Sequence, residues 1–104
     1  MSEKRLLKVL LVDDEPYILN GLSKLIDWEA CGYEIAGLCS RASAALELAL
    51  ATRPQLMILD IEMPGMSGLE LMERLRPELP DTRFVVLSAY DLFEYAQRAL
   101  HNGA

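Results

Sequence analysis

Three acidic residues follow two apolar segments of this chain, at points where buried strands are expected to end. Asp13 and Asp14 come directly after the apolar run Leu6–Val12, and Asp60 comes directly after Leu56–Leu59. Carboxylate oxygens are the ligands that a hard divalent cation such as Mg²⁺ prefers in proteins. If the two segments are neighbours in the fold, the three carboxylates converge and form a candidate magnesium site.

The sequence around these carboxylates contains no basic residue to neutralise them. Lys and Arg are absent between Val9 and Ser23 and again between Pro54 and Glu73. Crowded, partly buried carboxylates cannot all stay ionised without a cation. Either acidic segment taken alone is typical of a solvated turn or a helix cap. Their coincidence on two separate strands favours a bound divalent ion.

The elements that position these residues alternate between strand and helix. Runs of apolar residues predict four strands, over Leu6–Val12, Tyr33–Cys39, Leu56–Leu59 and Phe84–Leu87. A segment with the helical spacing of apolar residues follows each strand. This alternation predicts an α/β fold of the flavodoxin-like kind, a doubly wound parallel sheet with four strands and four helices. In that strand order the first and third strands are neighbours, and ligands bind at their carboxyl ends.

Polar residues at the ends of the apolar segments indicate where the helices begin. Asp14 or Glu15 is the candidate cap of the first helix, and Ser40 is the candidate cap of the second. Ser67 is followed by Glu70 at the spacing of a capping box, which predicts the start of the third helix. Beyond the fourth strand, the hydroxyl of Ser88 is expected at the same edge of the sheet as the three acids.

Length and composition limit the classes of protein that this chain can represent. Its 104 residues, 52% of them hydrophobic and 25% charged, predict one soluble globular domain over residues 1–104. A net charge of −6 argues against direct binding of nucleic acid. No apolar run approaches the roughly 20 residues of a membrane span. Cys31 and Cys39 lack metal-ligand spacing and predict two free thiols, which favours a cytoplasmic location.

Three motifs, taken together, resemble the receiver domains of two-component response regulators. They are Val12–Pro16 (V-D-D-E-P), Leu59–Gly68 (L-D-I-E-M-P-G-M-S-G) and Leu87–Ala89 (L-S-A). The match extends over the whole chain in order and spacing, and the middle motif is quite specific. The resemblance implies a phosphorylated signalling module and not a turnover enzyme.

The resemblance also implies a set of metal and nucleophile roles. Asp60 would be the phosphoacceptor, which takes a phosphoryl group from the phosphohistidine of a sensor histidine kinase. Asp13, Asp14 and Asp60, with the backbone carbonyl of Glu62, would hold Mg²⁺. These roles agree with the chemistry of the residues, because a carboxylate can attack phosphorus and a divalent cation neutralises the developing charge.

Further roles are implied for residues beside the acids. Ser88, with Ala89 next to it, would contact the phosphoryl group and act as the switch. Glu62 and Tyr90, each two residues beyond a site residue, would modulate the lifetime of the phosphoryl group. Movement of Ser88 toward new phosphoryl oxygens is a local hydrogen-bond change that can bias a two-state surface.

The family pattern continues past the fourth helix, into a last β-α unit that has no counterpart here. That unit contains a lysine that pairs with the phosphoryl group, whereas this sequence ends at Ala104. The resemblance therefore predicts a truncated receiver whose fourth strand is an open edge, and open edges favour a homodimer. The segment Leu25–Gly37 resembles receivers fused to AraC-type helix-turn-helix domains, which implies transcription regulation through an absent, DNA-binding output domain at the C-terminus.

Two alternatives to the receiver remain open on the sequence. A Mg²⁺-dependent phosphatase of the haloacid dehalogenase type places a D-x-D pair after its first strand, whereas the first strand here is followed by D-D-E-P. A phosphorylation-independent interaction scaffold would keep the fold and would bind its partner normally after Asp60→Asn. Turnover of a phosphate ester distinguishes the first alternative, and partner binding by that variant distinguishes the second.

Overall fold

The computed structural model describes residues 5–87, and within them a parallel four-stranded sheet is flanked by three helices. The strands are β1 (Leu7–Val12), β2 (Tyr33–Cys39), β3 (Leu56–Asp60) and β4 (Arg83–Leu87). The helices are α1 (Pro16–Leu25), α2 (Ala42–Thr52) and α3 (Gly68–Leu75). The strand order is β2-β1-β3-β4, which confirms the flavodoxin-like prediction. The predicted fourth helix lies outside the described residues.

The central strand β1 is buried on both faces, and its alternating side chains divide the core into two layers. Val9 and Leu11 pack with α1 and with Trp28 on one face. Leu10 and Val12 pack with α2 and α3 on the other face. Successive side chains of a strand point to opposite faces, so a continuous apolar run is what a doubly covered strand requires. The unbroken apolar run over Val9–Val12 therefore reflects helices on both sides of the sheet.

The helix starts agree with the sequence only in part. Ser67 caps α3, since its Oγ accepts a hydrogen bond from the backbone N–H of Glu70 at 3.1 Å. Glu15 is at the N-cap of α1, but its side chain makes no capping bond. The prediction that Ser40 caps α2 is wrong, because the N-cap is Arg41, whose side chain makes no capping hydrogen bond.

The position of β2 explains the error at α2. Cys39 is paired with Val12, and its carbonyl accepts the backbone N–H of Asp13 at 3.0 Å. The strand therefore continues in the sheet through Cys39, and the chain needs both following residues to turn into the helix. Hydrogen bonding between strands that are distant in the sequence decided where the helix begins. Residues close to the helix start do not indicate this pairing.

Other features of the described residues bear on the class of protein. No helix within residues 5–87 has the length and apolarity that a bilayer crossing requires. Both cysteines are free thiols, Cys39 buried and Cys31 partly exposed, as the sequence predicted.

Candidate functional site

The sheet brings the three predicted carboxylates together at the carboxyl ends of β1 and β3. Val12 and Leu59 are partners in the β1–β3 pairing, so the residues that follow them emerge side by side. Ligand oxygens of Asp13, Asp14 and Asp60 all lie within 4.8 Å of one another. Residues separated by more than forty positions in the chain thus form one acidic cluster, the topological-switch site of this fold.

Asp13 is the most deeply buried member of the cluster, with 1% of its surface exposed. Its Oδ1 accepts a hydrogen bond from the backbone N–H of Glu15 at 2.9 Å. Its Oδ2 is also buried, and no donor for it exists among residues 5–87. An unpartnered carboxylate oxygen in an interior is costly, so it requires either a proton or a cation.

Burial also changes the acidity of two carboxyl groups in the cluster. The pKa of Asp13 is raised from 3.8 to about 6, chiefly by burial and further by the charges of Asp60 and Asp14. The hydrogen bond from Glu15 opposes that rise in the pKa. The pKa of Asp60 is raised as well, first by burial and then by the neighbouring Asp14, while the backbone N–H of Glu62 lowers it. Without a metal, the cluster therefore tends to hold protons.

The chemistry of the donor set fits a hard divalent cation. All three side chains offer oxygen, Oδ2 of Asp13 lacks a hydrogen-bond partner among residues 5–87, and the ligand oxygens are close enough to share one ion. Within residues 5–87 no basic side chain forms an ion pair with the cluster, because the one ion pair found there joins Arg74 and Glu70 at 4.0 Å. The residues present are thus suited to Mg²⁺, as the sequence predicted from its lack of local basic residues.

Asp60 differs from Asp13 in being accessible from solvent. It lies at the end of β3 and lines an open cleft of 580 Å³ together with Asp14, Glu62 and Ser67. Its exposed fraction is 7%, and its Oδ1 accepts a long hydrogen bond of 3.4 Å from the Glu62 backbone N–H. A ligand entering this cleft would therefore meet Asp60 and Asp14, whereas Asp13 does not line it.

The structure also places one basic residue close to the acidic cluster. The sequence around the acids did not indicate this residue. Arg41, at the start of α2, lines a second cavity of 460 Å³, to which Asp14, Ser43 and Met63 also contribute. The absence of Lys and Arg within each acidic segment says nothing about a residue from the β2–α2 connection. The available signal was topological, since α2 begins at the same edge of the sheet as the acids.

Some predicted site residues lie outside the described part of the chain. They are Ser88, Ala89 and Tyr90, so their roles stay predictions. The side chain of Glu62 is exposed and lines the cleft. Binding of Mg²⁺ by its backbone carbonyl stays a prediction.

The fold and the acidic cluster together define a flavodoxin-like α/β domain with a candidate divalent-cation site at the carboxyl ends of its strands. Comparison with known proteins is more specific: the model of the response regulator receiver domain matches residues 9–104. The chain belongs to the response regulator receiver domain family.

Relatives at the level of sequence are bacterial regulators. The chain is 40% identical over 96 residues to the uncharacterized transcriptional regulatory protein YesN of Bacillus subtilis, covering 92% of this chain and 26% of YesN. It is 36% identical over 104 residues to the nitrate/nitrite response regulator protein NarL of Escherichia coli, covering 100% of this chain and 48% of NarL. The chain thus spans from 26% to 48% of the length of these curated relatives.

Solved structures give the same family. The receiver domain of AraT, a response regulator from Geobacillus stearothermophilus, superposes with a TM-score of 0.78 at 40% identity, covering 92% of this chain and 74% of that one. The two-component transcriptional regulator AraC from Clostridium phytofermentans has a TM-score of 0.75 at 32% identity, covering 86% and 72%. These likenesses confirm the predicted resemblance to receivers of AraC-type regulators.

Proposed function

We propose that this protein is the phosphoacceptor switch of a two-component system, with Asp60 as the residue that is phosphorylated. One observation supports this choice most directly. Asp60 belongs to the largely buried acidic cluster, is the last residue of β3 and lines an open cleft. Asp13, at 1% exposure, is too enclosed to reach a donor. We propose one receiver domain over residues 1–104, and the family match over residues 9–104 supports this proposal.

In the proposed reaction, an oxygen of the Asp60 carboxylate attacks the phosphorus of a phosphohistidine on a sensor histidine kinase. A P–O bond forms, the P–N bond breaks, and its electron pair leaves with the imidazole nitrogen, which takes up a proton. The product is an aspartyl phosphate at Asp60 and a neutral histidine. Transfer of this kind depends mainly on in-line positioning and neutralisation of charge.

Asp13, Asp14 and Asp60, with the backbone carbonyl of Glu62, are the proposed ligands of Mg²⁺. The ion would supply charge neutralisation for the incoming phosphoryl group. The residues themselves supply oxygen donors within 4.8 Å of one another and an orphan Oδ2 on Asp13. Burial and neighbouring negative charges raise the pKa values of Asp13 and Asp60, and a bound cation would offset both effects.

The proposed output follows from the relatives and from the motif at the fourth strand. Ser88, with Ala89, would move toward the phosphoryl oxygens, and Glu62 and Tyr90 would set how long the phosphoryl group lasts. YesN is named as a transcriptional regulatory protein and NarL as a response regulator, and each is more than twice the length of this chain. We therefore expect a DNA-binding output domain and a cytoplasmic location, with no nucleic acid bound by the receiver itself.

The test is phosphorylation of the purified protein by acetyl phosphate in the presence of Mg²⁺, followed by intact mass. We expect one phosphoryl group on the wild type and none on Asp60→Asn. Asp81→Asn is the matched control, because Asp81 is exposed and precedes β4, at the opposite end of the sheet. Omission of Mg²⁺ is expected to abolish the addition.

Each alternative has its own signature in the same experiment. Phosphorylation of Asp60→Asn to the wild-type level would refute the assignment of the acceptor. A folded wild type that takes up no phosphoryl group would support the scaffold. Continuous release of phosphate from a simple phosphate ester would support the phosphatase.

A further inference from the structure

We propose that Gly68 is a positioning residue for the Asp60 carboxylate, through both its missing side chain and its backbone N–H. This inference rests on the proposed function of Asp60. Gly68 is the first residue of α3 and is buried, eight positions beyond the acid that it would orient. In this proposal Gly68 acts through steric exclusion and a backbone hydrogen bond, and it has no direct role in binding the phosphoryl donor.

The space at Gly68 is filled by the backbone of Asp60. A Cβ built on Gly68 would overlap the Asp60 carbonyl oxygen and lie 2.9 Å from the carbonyl carbon of Asp60. It would also lie 3.4 Å from the Cα of Ile61. Because backbone atoms cannot rotate away as a side-chain tip can, any side chain here must displace the end of β3 or the start of α3.

The N–H of Gly68 holds the peptide group that touches the Asp60 carboxylate. It donates to the carbonyl oxygen of Ile61 at 3.0 Å. The same peptide group contains the N–H of Glu62, which donates to Oδ1 of Asp60 at 3.4 Å. One end of a rigid, planar peptide is thus bonded to Gly68 while the other end is bonded to the proposed nucleophile.

The start of α3 cannot retreat easily from Asp60. Ser67 fixes the first turn, because its Oγ accepts from Glu70 and its carbonyl accepts from the N–H of Leu71 at 2.9 Å. Leu71 and Leu75 are fully buried and anchor the helix on the core. A side chain at Gly68 is therefore expected to move the Asp60 backbone and its peptide, and not the helix.

Two other glycines in the chain provide matched controls. Gly21, inside α1, has no atom within 4 Å of the position that a Cβ would take, so Gly21→Ala adds a methyl group in open space. Gly37, in β2, would bring a Cβ against side-chain carbons of Leu48 and Leu10. Gly37→Ala thus strains packing between side chains without touching the backbone of the site.

The experiment compares the three Gly→Ala variants with the wild type in phosphorylation by acetyl phosphate. The rate is measured at saturating acetyl phosphate and Mg²⁺, at a temperature well below the midpoint of thermal unfolding. It is then divided by the folded fraction obtained from circular dichroism. We expect Gly68→Ala to lower this rate at least about 10-fold, because small misplacements of reacting groups have large kinetic effects. Gly21→Ala and Gly37→Ala are expected to stay within about twofold, whatever Gly37→Ala does to stability.

A folded Gly68→Ala protein with a wild-type maximal rate would overturn the positioning role. If that variant does not fold, Gly68 is replaced by glycolic acid through chemical ligation. This replacement exchanges the backbone N–H for an ester oxygen and adds no side-chain atom. The ester is expected to fold and to lower the maximal rate several-fold, and a wild-type rate for the ester overturns the proposal. An inert wild type would instead refute the proposed function, so the two failures are distinguishable.

Discussion

Replacement of Asp13 by Asn is expected to change how the stability of the metal-free protein depends on pH. Burial raises the pKa of Asp13 from 3.8 to about 6 in the folded state. Between these values the folded protein binds a proton that the unfolded chain has released. Stability contributed by that proton is therefore full below about pH 4 and is lost as the pH rises through about 6.

The size of this loss follows from the shift in the pKa. Each pKa unit corresponds to about 1.4 kcal/mol, so Asp13 accounts for a loss of about 2–3 kcal/mol in the free energy of unfolding between pH 4 and pH 7. For a domain of this size, that corresponds to a change in Tm on the order of 10 °C. Asn cannot ionise, and its Oδ1 still accepts from the Glu15 N–H. The unpaired amide group of Asn lowers the free energy of unfolding by an amount that does not depend on pH. This cost cancels when the free energies of unfolding at the two pH values are compared.

The assay is urea unfolding of wild type, Asp13→Asn and Asp81→Asn at several pH values in the presence of EDTA. The wild type and Asp81→Asn should lose about 2–3 kcal/mol relative to Asp13→Asn between pH 4 and pH 7. Adding Mg²⁺ at pH 7 should restore most of this to the wild type and little to Asp13→Asn. Parallel pH curves for wild type and Asp13→Asn would refute the claim that Asp13 is a buried, cation-requiring carboxylate.

Two substitutions test the packing that supports the site. Met57→Ala removes a fully buried side chain from β3 and should lower the free energy of unfolding by about 2–5 kcal/mol, measured by urea unfolding; a loss below about 1 kcal/mol would contradict the burial of Met57. Ser67→Ala removes the cap of α3 and should cost about 1 kcal/mol in the same assay, whereas Ser67→Asp should retain most of the stability. Equal stability of the two Ser67 variants would show that the cap contributes nothing.

The helix caps illustrate which local features can be predicted from sequence. The bond from Glu70 to Ser67 joins residues three positions apart, so the spacing alone predicts it. The start of α2 depends instead on pairing between β1 and β2 through Cys39, which involves residues 27 positions apart in the Val12–Cys39 pair. Ser40 was the better capping residue by type, yet the sheet determined that Arg41 occupies the N-cap.

The sequence by itself determined the types and order of the elements and the residues that end the strands. Continuous apolar runs specified strands covered on both faces, and Asp13, Asp14 and Asp60 followed from their place after those runs. These features depend on neighbours along the chain, so they can be recognised without the fold.

Only the tertiary structure decided how the site is arranged. The β1–β3 pairing brings the acids within 4.8 Å, and packing from both layers leaves Asp13 enclosed while Asp60 faces the cleft. The path of the chain between β3 and α3 brings Gly68 against the Asp60 backbone, and the β2–α2 connection brings Arg41 to a cavity that Asp14 also lines. Burial and register are set jointly by all the packed segments, which is why the acidity and accessibility of each carboxylate could not be assigned from the sequence alone.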